Sequence, residues 1–363
     1  MQYIRKHGGN LKEASEIYDF PVDKFLDFSA NINPLGPPPI VYEIIKENLT
    51  EISRYPDSRN LELKKALAAH LHICQNNLIL GNGASELIFL LVNCLRPTKV
   101  WIPNPTFGEY EVAARGVGAE IIRLPLGGEN LNNFQLDQLE SIKSGEMIFI
   151  CNPNNPTGQL YNREFITSLI RFTEKKKAYL VIDESFLDFL VNNEELSWRN
   201  NICKHSHLII LYSLTKFFAI PGLRLGALLA NEELISNLDK LRDPWNVNVF
   251  AQLAGVAALK DKNFIKESLK FFQEEKDFVY EKLIKIPGLH PFKPSANFIF
   301  IKLLTSITST EICDILARQG ILVRNCNSYP YLGEKYLRIA IKKREDNLKL
   351  IDSLKIIMAQ END

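Results

Sequence analysis

The sequence predicts an α/β fold, in which a large domain with a mostly parallel sheet is followed by a smaller α+β domain. Between residues 78 and 212, apolar segments of strand length alternate with amphipathic helical segments. This alternation is typical of parallel strands that helices cover on both faces. After residue 246 the pattern changes to two long helices, followed by short strands and helices in mixed order.

The individual elements follow from apolar spacing and from breakers such as proline and glycine. Residues 1–37 are expected to be irregular, apart from a short helix at Leu11–Tyr18. In the large domain the expected helices are 41–49, 61–71, one that ends at residue 95, 109–117 and 163–173, and the expected strands are 78–80, 100–102, 120–124, 147–150, 179–182 and 208–212.

The last third of the chain supplies the smaller domain. Helices are expected at 249–259, 263–284, 310–318 and 344–358, and strands at 297–302, 321–324 and 337–341. The predicted division is an N-terminal arm with part of the small domain at 1–45, the large domain at 46–245 and the small domain at 246–363. We expect the arm to pack against the small domain.

Composition excludes several classes of protein. The 363 residues contain 43 basic and 43 acidic side chains, so no bulk charge attracts a nucleic acid or a membrane surface. No apolar run reaches the roughly 18 residues that span a bilayer, and the first residues lack a signal-peptide core. The six cysteines are scattered without a C-x-x-C pair. We therefore expect a cytoplasmic protein with reduced thiols and no metal site.

The stretch from residue 208 to residue 226 carries the main chemical signal, because Lys216 lies between two apolar strands. Burial lowers the pKa of an amine, and a neutral amine can form a Schiff base with an aldehyde. Ser213 and Arg224 flank the lysine and could hold a phosphate. Pyridoxal phosphate presents both an aldehyde and a phosphate, so it is the expected cofactor.

Other side chains at strand ends suit the same cofactor. Asp183 follows an apolar strand and could pair with the pyridine nitrogen, and Asn155 could donate to the ring 3-oxygen. Phe107 could cover the face of the ring. The phosphate could also bind the turn at a helix N-terminus formed by Gly83, Ala84 and Ser85.

Together these motifs resemble the fold-type I pyridoxal-phosphate enzymes of the class I/II aminotransferase superfamily. The resemblance covers nearly the whole chain and is carried by the segments 152–158 (NPNNPTG), 183–184 (DE), 213–216 (SLTK) and 222–226 (GLRLG). It implies that Lys216 carries the cofactor and that Arg338 grips a substrate carboxylate. It also implies a homodimer in which Tyr55 reaches the cofactor phosphate of the neighbouring subunit.

Two branches of the superfamily compete, histidinol-phosphate aminotransferase and the threonine-phosphate decarboxylase of cobalamin biosynthesis. The segments 7–10 (HGGN), 27–36 (DFSANINPLG) and 213–222 (SLTKFFAIPG) are similar to the decarboxylase. The aminotransferases usually carry a tyrosine three residues after the pyridine aspartate, where this chain has Phe186. The resemblance therefore favours decarboxylation of L-threonine O-3-phosphate to (R)-1-amino-2-propanol O-2-phosphate, for the nucleotide loop of cobalamin.

The substrate of such an enzyme carries a phosphate and a carboxylate. We expect six residues to bind this substrate and its anions: His7, Gly8, Asn31, Asn155, Arg324 and Arg338. The sequence does not decide which arginine takes which anion. It also leaves open serine phosphate, which differs from threonine phosphate by one methyl group. A non-catalytic regulator on the same scaffold is disfavoured, because Lys216 is present and no basic helix-turn-helix segment is appended.

Overall fold

The structure is a computed structural model that describes residues 8–129 and 131–360. Its α-helices are α1 (Leu11–Tyr18), α2 (Pro39–Glu47), α3 (Leu61–Leu71), α4 (Ala84–Leu95), α5 (Glu109–Gly116), α6 (Arg163–Lys176), α7 (Asn193–Leu196), α8 (Leu214–Phe217), α9 (Glu232–Asp239), α10 (Val249–Lys260), α11 (Lys262–Leu283), α12 (Ser309–Arg318) and α13 (Arg344–Gln360).

The strands fall into three sheets. They are β1 (Leu26–Asp27), β2 (Leu78–Gly81), β3 (Lys99–Asn104), β4 (Glu120–Pro125), β5 (Met147–Cys151), β6 (Tyr179–Asp183), β7 (Leu208–Ser213), β8 (Gly226–Leu229), β9 (Leu289–Pro291), β10 (Phe298–Leu303), β11 (Ile321–Leu322), β12 (Arg324–Asn325) and β13 (Tyr336–Ala340).

The large sheet has seven strands in the order β2-β8-β7-β6-β5-β3-β4. The five strands from β7 to β4 are joined by parallel pairings, whereas β8 is antiparallel to both of its neighbours. Every residue of β2, β5, β7 and β8 is buried. The apolar strand pattern therefore reflects burial on both faces, and the predicted mostly parallel α/β sheet is confirmed.

The order of the parallel strands brings three polar segments to one edge of the sheet. In the register, Cys151 at the end of β5 lies beside Asp183 at the end of β6, and β7 ends nearby at Ser213. The carboxyl ends of parallel strands are where open α/β sheets bind ligands.

The smaller sheet has the order β12-β13-β10-β9. Helices α11, α12 and α13 contact this part of the chain. The arm joins it through β1, which pairs in parallel with β11 so that Leu26 lies beside Ile321 and Asp27 beside Leu322. The expected contact between the arm and the C-terminal region is thus present.

One predicted strand was wrong as a single element. The segment 321–324 divides at Val323, because Ile321–Leu322 pairs with the arm and Arg324–Asn325 pairs with β13. The helix expected at 41–49 also shifts to Pro39–Glu47, since proline is favourable in the first turn, and a 3-10 turn at Leu49–Ser53 follows it.

Within residues 8–129 and 131–360, no helix combines the length and the apolar character that crossing a membrane requires.

Candidate active site

A cavity of about 570 Å³ opens where the large sheet, the arm and the smaller sheet meet. Its walls include the ends of β5, β6 and β7, the start of α4, and residues of β12 and β13. It brings together most of the predicted site residues: Gly8, Asn31, Ala84, Ser85, Phe107, Asn155, Asp183, Ser213, Lys216, Arg224, Arg324 and Arg338.

Lys216 lies in α8, directly after the buried strand β7. Its Nζ donates a 3.2 Å hydrogen bond to Ser213 Oγ and lies 5.0 Å from the centroid of the Phe186 ring. Burial lowers the pKa of Lys216, and the nearby Asp183 carboxylate opposes part of that effect. The lowered pKa increases the fraction of neutral amine, which is the nucleophilic form.

Asp183, at the end of β6, is only 4% exposed. Tyr110 Oη donates a 2.6 Å hydrogen bond to its Oδ2, and the Ser185 N–H donates a 2.9 Å bond to its Oδ1. Tyr110 is itself held by stacking on Phe149, with ring centroids 4.6 Å apart and planes at 7°. A carboxylate fixed at both oxygens can pair with a protonated ring nitrogen without first reorganising.

The turn before α4 lies against an arginine. Gly83 has φ +82°, and a Cβ built there would be 2.4 Å from Nη2 of Arg224. The guanidinium therefore lies against the backbone at the N-terminus of a 12-residue helix. Ser85 and Ser213 line the same cavity. Helix amides, two hydroxyl groups and a fixed cation are the groups that bind a phosphate.

Phe107 and Asn155 lie on the walls of the cavity. The Phe107 ring contacts Tyr110 edge to face, with centroids 5.5 Å apart. Asn155 Oδ1 accepts hydrogen bonds from Arg338 and from Tyr329 Oη, the latter at 3.4 Å. These two donors fix the amide so that its NH₂ group is the end available to donate to a ligand.

Arg324 and Arg338 lie directly opposite each other on β12 and β13. Both are buried, at 9% and 5% exposed. Arg338 also donates to the Ser29 carbonyl, and within the described residues its Nε is buried without a partner. Burial lowers the pKa of Arg338, since its hydrogen-bond partners in this part of the chain are uncharged. A buried guanidinium of this kind is suited to an anionic ligand.

The arm closes one side of the cavity. A Cβ on Gly8 would lie 2.2 Å from the Ser29 carbonyl oxygen, so glycine permits this close approach. Asn31 is 7% exposed, and its Oδ1 is buried with no partner in the described part of the chain. His7, also predicted to bind substrate, lies outside the described residues.

A model of the family described as aminotransferase class I and II matches residues 23–354. The chain belongs to the class I and II aminotransferase family. This confirms the family recognised from the sequence motifs, and it agrees with the α/β architecture described above.

Relatives of this chain include both threonine-phosphate decarboxylases and histidinol-phosphate aminotransferases. It is 35% identical to the threonine-phosphate decarboxylase of Salmonella typhimurium, over 97% of this chain and 96% of that one. It is 32% identical to the histidinol-phosphate aminotransferase of Moorella thermoacetica, over 93% and 86%. The crystal structure of the histidinol-phosphate aminotransferase from Clostridium acetobutylicum superposes with a TM-score of 0.85 at 33% identity, over 92% and 99%.

The cavity of this class I and II aminotransferase fits pyridoxal phosphate, the family's cofactor. Gly83 leaves the space that Arg224 needs beside the helix N-terminus, and a Cβ there would fill it. Asp183 is buried, fixed and free to pair with a ring nitrogen. The Lys216 amine lies close enough for the Asp183 charge to affect its pKa. These residues could hold a phosphate, a pyridine nitrogen and an aldehyde, respectively.

Tyr55 does not line this cavity. It is 79% exposed and stacks on the exposed ring of Trp245, with centroids 4.5 Å apart. The sequence placed it in the site of a neighbouring subunit, which remains a prediction.

Three lining or supporting residues were missed by the sequence analysis. Tyr110, which binds Asp183, lies one helical turn after Phe107, and this spacing was a usable signal. Lys342 lies in the cavity wall two residues past the end of β13, so no strand pattern indicated it. Tyr329 comes from the loop between β12 and β13, and no local pattern distinguishes it.

Proposed function

We propose that this chain decarboxylates L-threonine O-3-phosphate to (R)-1-amino-2-propanol O-2-phosphate, the reaction expected in the assembly of the cobalamin nucleotide loop. The proposal rests mainly on one observation, which is that a single cavity contains both the residues suited to the cofactor and the residues suited to the substrate anions. Lys216, Asp183 and Arg224 form the set suited to the cofactor, and the buried cations Arg324 and Arg338 face it from the smaller sheet.

The cofactor set has defined roles in this proposal. Asp183, oriented by Tyr110, pairs with the pyridine nitrogen, and Phe107 covers one face of the ring. Gly83, Ala84, Ser85, Ser213 and Arg224 hold the phosphate. Asn155 donates from its NH₂ group to the ring 3-oxygen. When bound, pyridoxal phosphate supplies an aldehyde that joins the substrate amine and a ring that accepts the electron pair left by the departing carboxylate.

The choice between decarboxylation and transamination would depend on how the protein orients the substrate carboxylate relative to the cofactor that these residues would hold. Arg324 and Arg338 are buried on adjacent strands, and Gly8 and Asn31 of the arm line the same cavity. The two arginines give the protein two anion contacts through which it can fix the orientation of the substrate. His7 is included in the proposal from the sequence motif alone.

Phe186 supports decarboxylation over transamination. Its ring lines the cavity near Lys216 and packs on Phe298, with centroids 5.1 Å apart. Because phenylalanine has no hydroxyl group, it cannot make the bond to the ring oxygen that a tyrosine makes in the aminotransferases. Asn155 is then the main donor to that oxygen.

Lys216 also supplies a proton. Once carbon dioxide leaves, the α-carbon of the substrate needs a proton in place of the carboxylate. Lys216 Nζ is the candidate acid, since its pKa is lowered by burial and Ser213 Oγ holds it at 3.2 Å.

The 35% identical threonine-phosphate decarboxylase supports this substrate, and the histidinol-phosphate aminotransferase at 32% identity is the second candidate. Serine phosphate is a third, because one methyl group is worth only about 1–3 kcal/mol in a pocket.

We further propose a homodimer in which Tyr55 reaches the phosphate of the neighbouring site. Its exposure of 79%, its stacking on Trp245 and the exposed Ile52 nearby support this arrangement. Light scattering on the purified chain tests the dimer, and a monomer with full activity would overturn it.

A substrate panel tests the proposed activity. The loaded protein is incubated with threonine phosphate, serine phosphate or histidinol phosphate, each with and without 2-oxoglutarate. We expect carbon dioxide from threonine phosphate in both conditions. Amino transfer from histidinol phosphate, strictly dependent on 2-oxoglutarate and without carbon dioxide release from the other two, would overturn the proposal.

A further inference from the structure

Lys342 lies two residues past the end of β13, the strand that carries Arg338. Arg338, Ala340 and Lys342 stand at alternate positions of the chain, and we call them the row. Arg338 and Lys342 both line the cavity, and the small Ala340 lies between them. The row therefore carries a second cation into the site.

The arm runs beside this row. Arg338 donates to the Ser29 carbonyl, and the Ala340 N–H donates a 2.8 Å hydrogen bond to the Phe28 carbonyl. Asp27 precedes Phe28 in the arm, and its charge acts on the Lys342 amine. The arm and the row thus face each other along one wall of the cavity.

The backbone of Lys342 is fixed from behind. The buried Asn347 accepts from the Lys342 N–H at 2.9 Å through Oδ1 and donates to the Lys342 carbonyl through Nδ2 at 2.6 Å. The same Nδ2 donates to Glu275 at 3.0 Å. A clamp of this kind fixes the origin of the side chain while the amine faces the cavity.

No carboxylate neutralises Lys342 by direct contact within the described residues. Asp27 Oδ1 already accepts from the N–H and the hydroxyl group of Ser29, at 2.8 and 2.6 Å. Burial lowers the pKa of Lys342, and the Asp27 and Asp346 charges oppose that effect. Lys342 therefore lines the cavity with no carboxylate in direct contact among the described residues, which is the condition in which an anionic ligand gains most.

We propose that Lys342 Nζ binds the substrate phosphate, as a third cation beside Arg324 and Arg338. A phosphate monoester carries about −1.5 to −2 charges near neutral pH, and the carboxylate of an amino acid adds one more. Three cations therefore match an amino acid phosphate. Histidinol phosphate has no carboxylate, because its phosphate ester stands on the carbon in that position, and it would leave one cation unmatched. This inference rests on the proposed function and specifies the charge of its substrate.

Neutral variants of Lys342 test the proposal. Lys342→Met and Lys342→Gln are compared with Lys343→Met, a matched control because Lys343 is the exposed neighbour in the chain. Calorimetry measures inorganic phosphate binding to the loaded protein, and steady-state assays give KM and kcat for threonine phosphate.

We expect both neutral variants to weaken phosphate binding and raise KM by about tenfold, with kcat little changed. Lys342→Arg should restore binding, and Lys343→Met should behave as wild type. Wild-type phosphate binding by a neutral variant that melts at the wild-type temperature would overturn the proposal.

A footprint of the wild-type protein gives a test that needs no variant. Lysines are acetylated in the presence and absence of inorganic phosphate, and modification is read by mass spectrometry. Phosphate should protect Lys342 and leave Lys343 unchanged. Equal modification of Lys342 in both conditions would contradict the assignment. If the wild-type protein releases no carbon dioxide from threonine phosphate, the proposed function fails, whereas phosphate binding and the footprint still decide the role of Lys342.

Discussion

Tyr110 Oη donates a 2.6 Å hydrogen bond to Asp183 Oδ2, and the two side chains meet from different elements, α5 and β6. Both residues are buried. The burial and the nearby Asp183 charge raise the pKa of Tyr110 far above its ordinary value, so the phenol remains a donor at any working pH. Tyr110 is therefore a positioning residue for the carboxylate that we assign to the pyridine nitrogen.

Tyr110→Phe tests this relationship. The variant keeps the ring that stacks on Phe149 and removes the hydroxyl group that binds Asp183. Hydrogen bonds to charged groups contribute about 1.5–3 kcal/mol, so kcat/KM should fall by about tenfold or more. The visible spectrum of the bound cofactor should also change its pH dependence. Tyr179→Phe, at the opposite end of β6, serves as control. An unchanged spectrum and rate in Tyr110→Phe would contradict the positioning role.

Gly83→Ala tests the phosphate end of the cavity. The new Cβ would lie 2.4 Å from Arg224 Nη2 and must displace the guanidinium. We expect the dissociation constant of pyridoxal phosphate, measured by fluorescence titration, to rise by about tenfold or more. Gly145→Ala is the matched control, because Gly145 has φ +80° and nothing within 4 Å of its added Cβ. Equal dissociation constants for the two variants would contradict the prediction, because the contact with Arg224 would then not affect cofactor binding.

Lys216→Ala should abolish turnover and the visible absorption band of the lysine-bound cofactor, because it removes the buried amine that we assign to the cofactor aldehyde. Lys64→Ala is the control, because burial also lowers the pKa of Lys64 although that residue lies on α3, outside the cavity. Turnover by Lys216→Ala at the wild-type rate would remove the lysine from the reaction.

Glu184 and Asp188 form a buried acidic pair behind the site, and they predict a pH dependence of stability. Burial raises the pKa of Glu184 from 4.5 to about 7 and that of Asp188 from 3.8 to about 6. The folded chain therefore holds these protons more tightly than the unfolded chain does. Their contribution to the free energy of unfolding is present at low pH and is lost as pH rises through these values.

The measurement is the free energy of unfolding of wild type and Glu184→Gln at about pH 5 and about pH 8. The neutral glutamine keeps the shape without titrating. Relative to the variant, wild type should lose roughly 2–3 kcal/mol between the two conditions. A difference that does not change with pH would show that Glu184 titrates normally in the folded chain.

Much of the fold could be predicted from the sequence, because its strongest patterns report burial directly. The apolar run of β7 is buried at every residue, and the polar side chains after β5 and β6 do meet at one sheet edge. The motif residues Lys216 and Asp183 were also predicted, since each follows a buried strand. These patterns are local and need no knowledge of distant partners.

The remaining features depend on pairings between distant segments. The segment 321–324 is divided because Ile321–Leu322 pairs with the arm and Arg324–Asn325 pairs with β13. The surroundings of Lys342 depend likewise on the arm, which accepts hydrogen bonds from Arg338 and Ala340. A strand pattern does not specify which distant segment will lie beside it, so these contacts could not be predicted from spacing.

The most direct measurement follows the carboxyl carbon of the substrate. Threonine phosphate labelled at that carbon is supplied to the loaded protein in D₂O without any keto acid. The account predicts one labelled carbon dioxide for each amine formed, with one solvent deuteron on the carbon that lost the carboxylate. In a parallel sample that contains 2-oxoglutarate, label retained in a keto acid, with no labelled carbon dioxide in either sample, would contradict it.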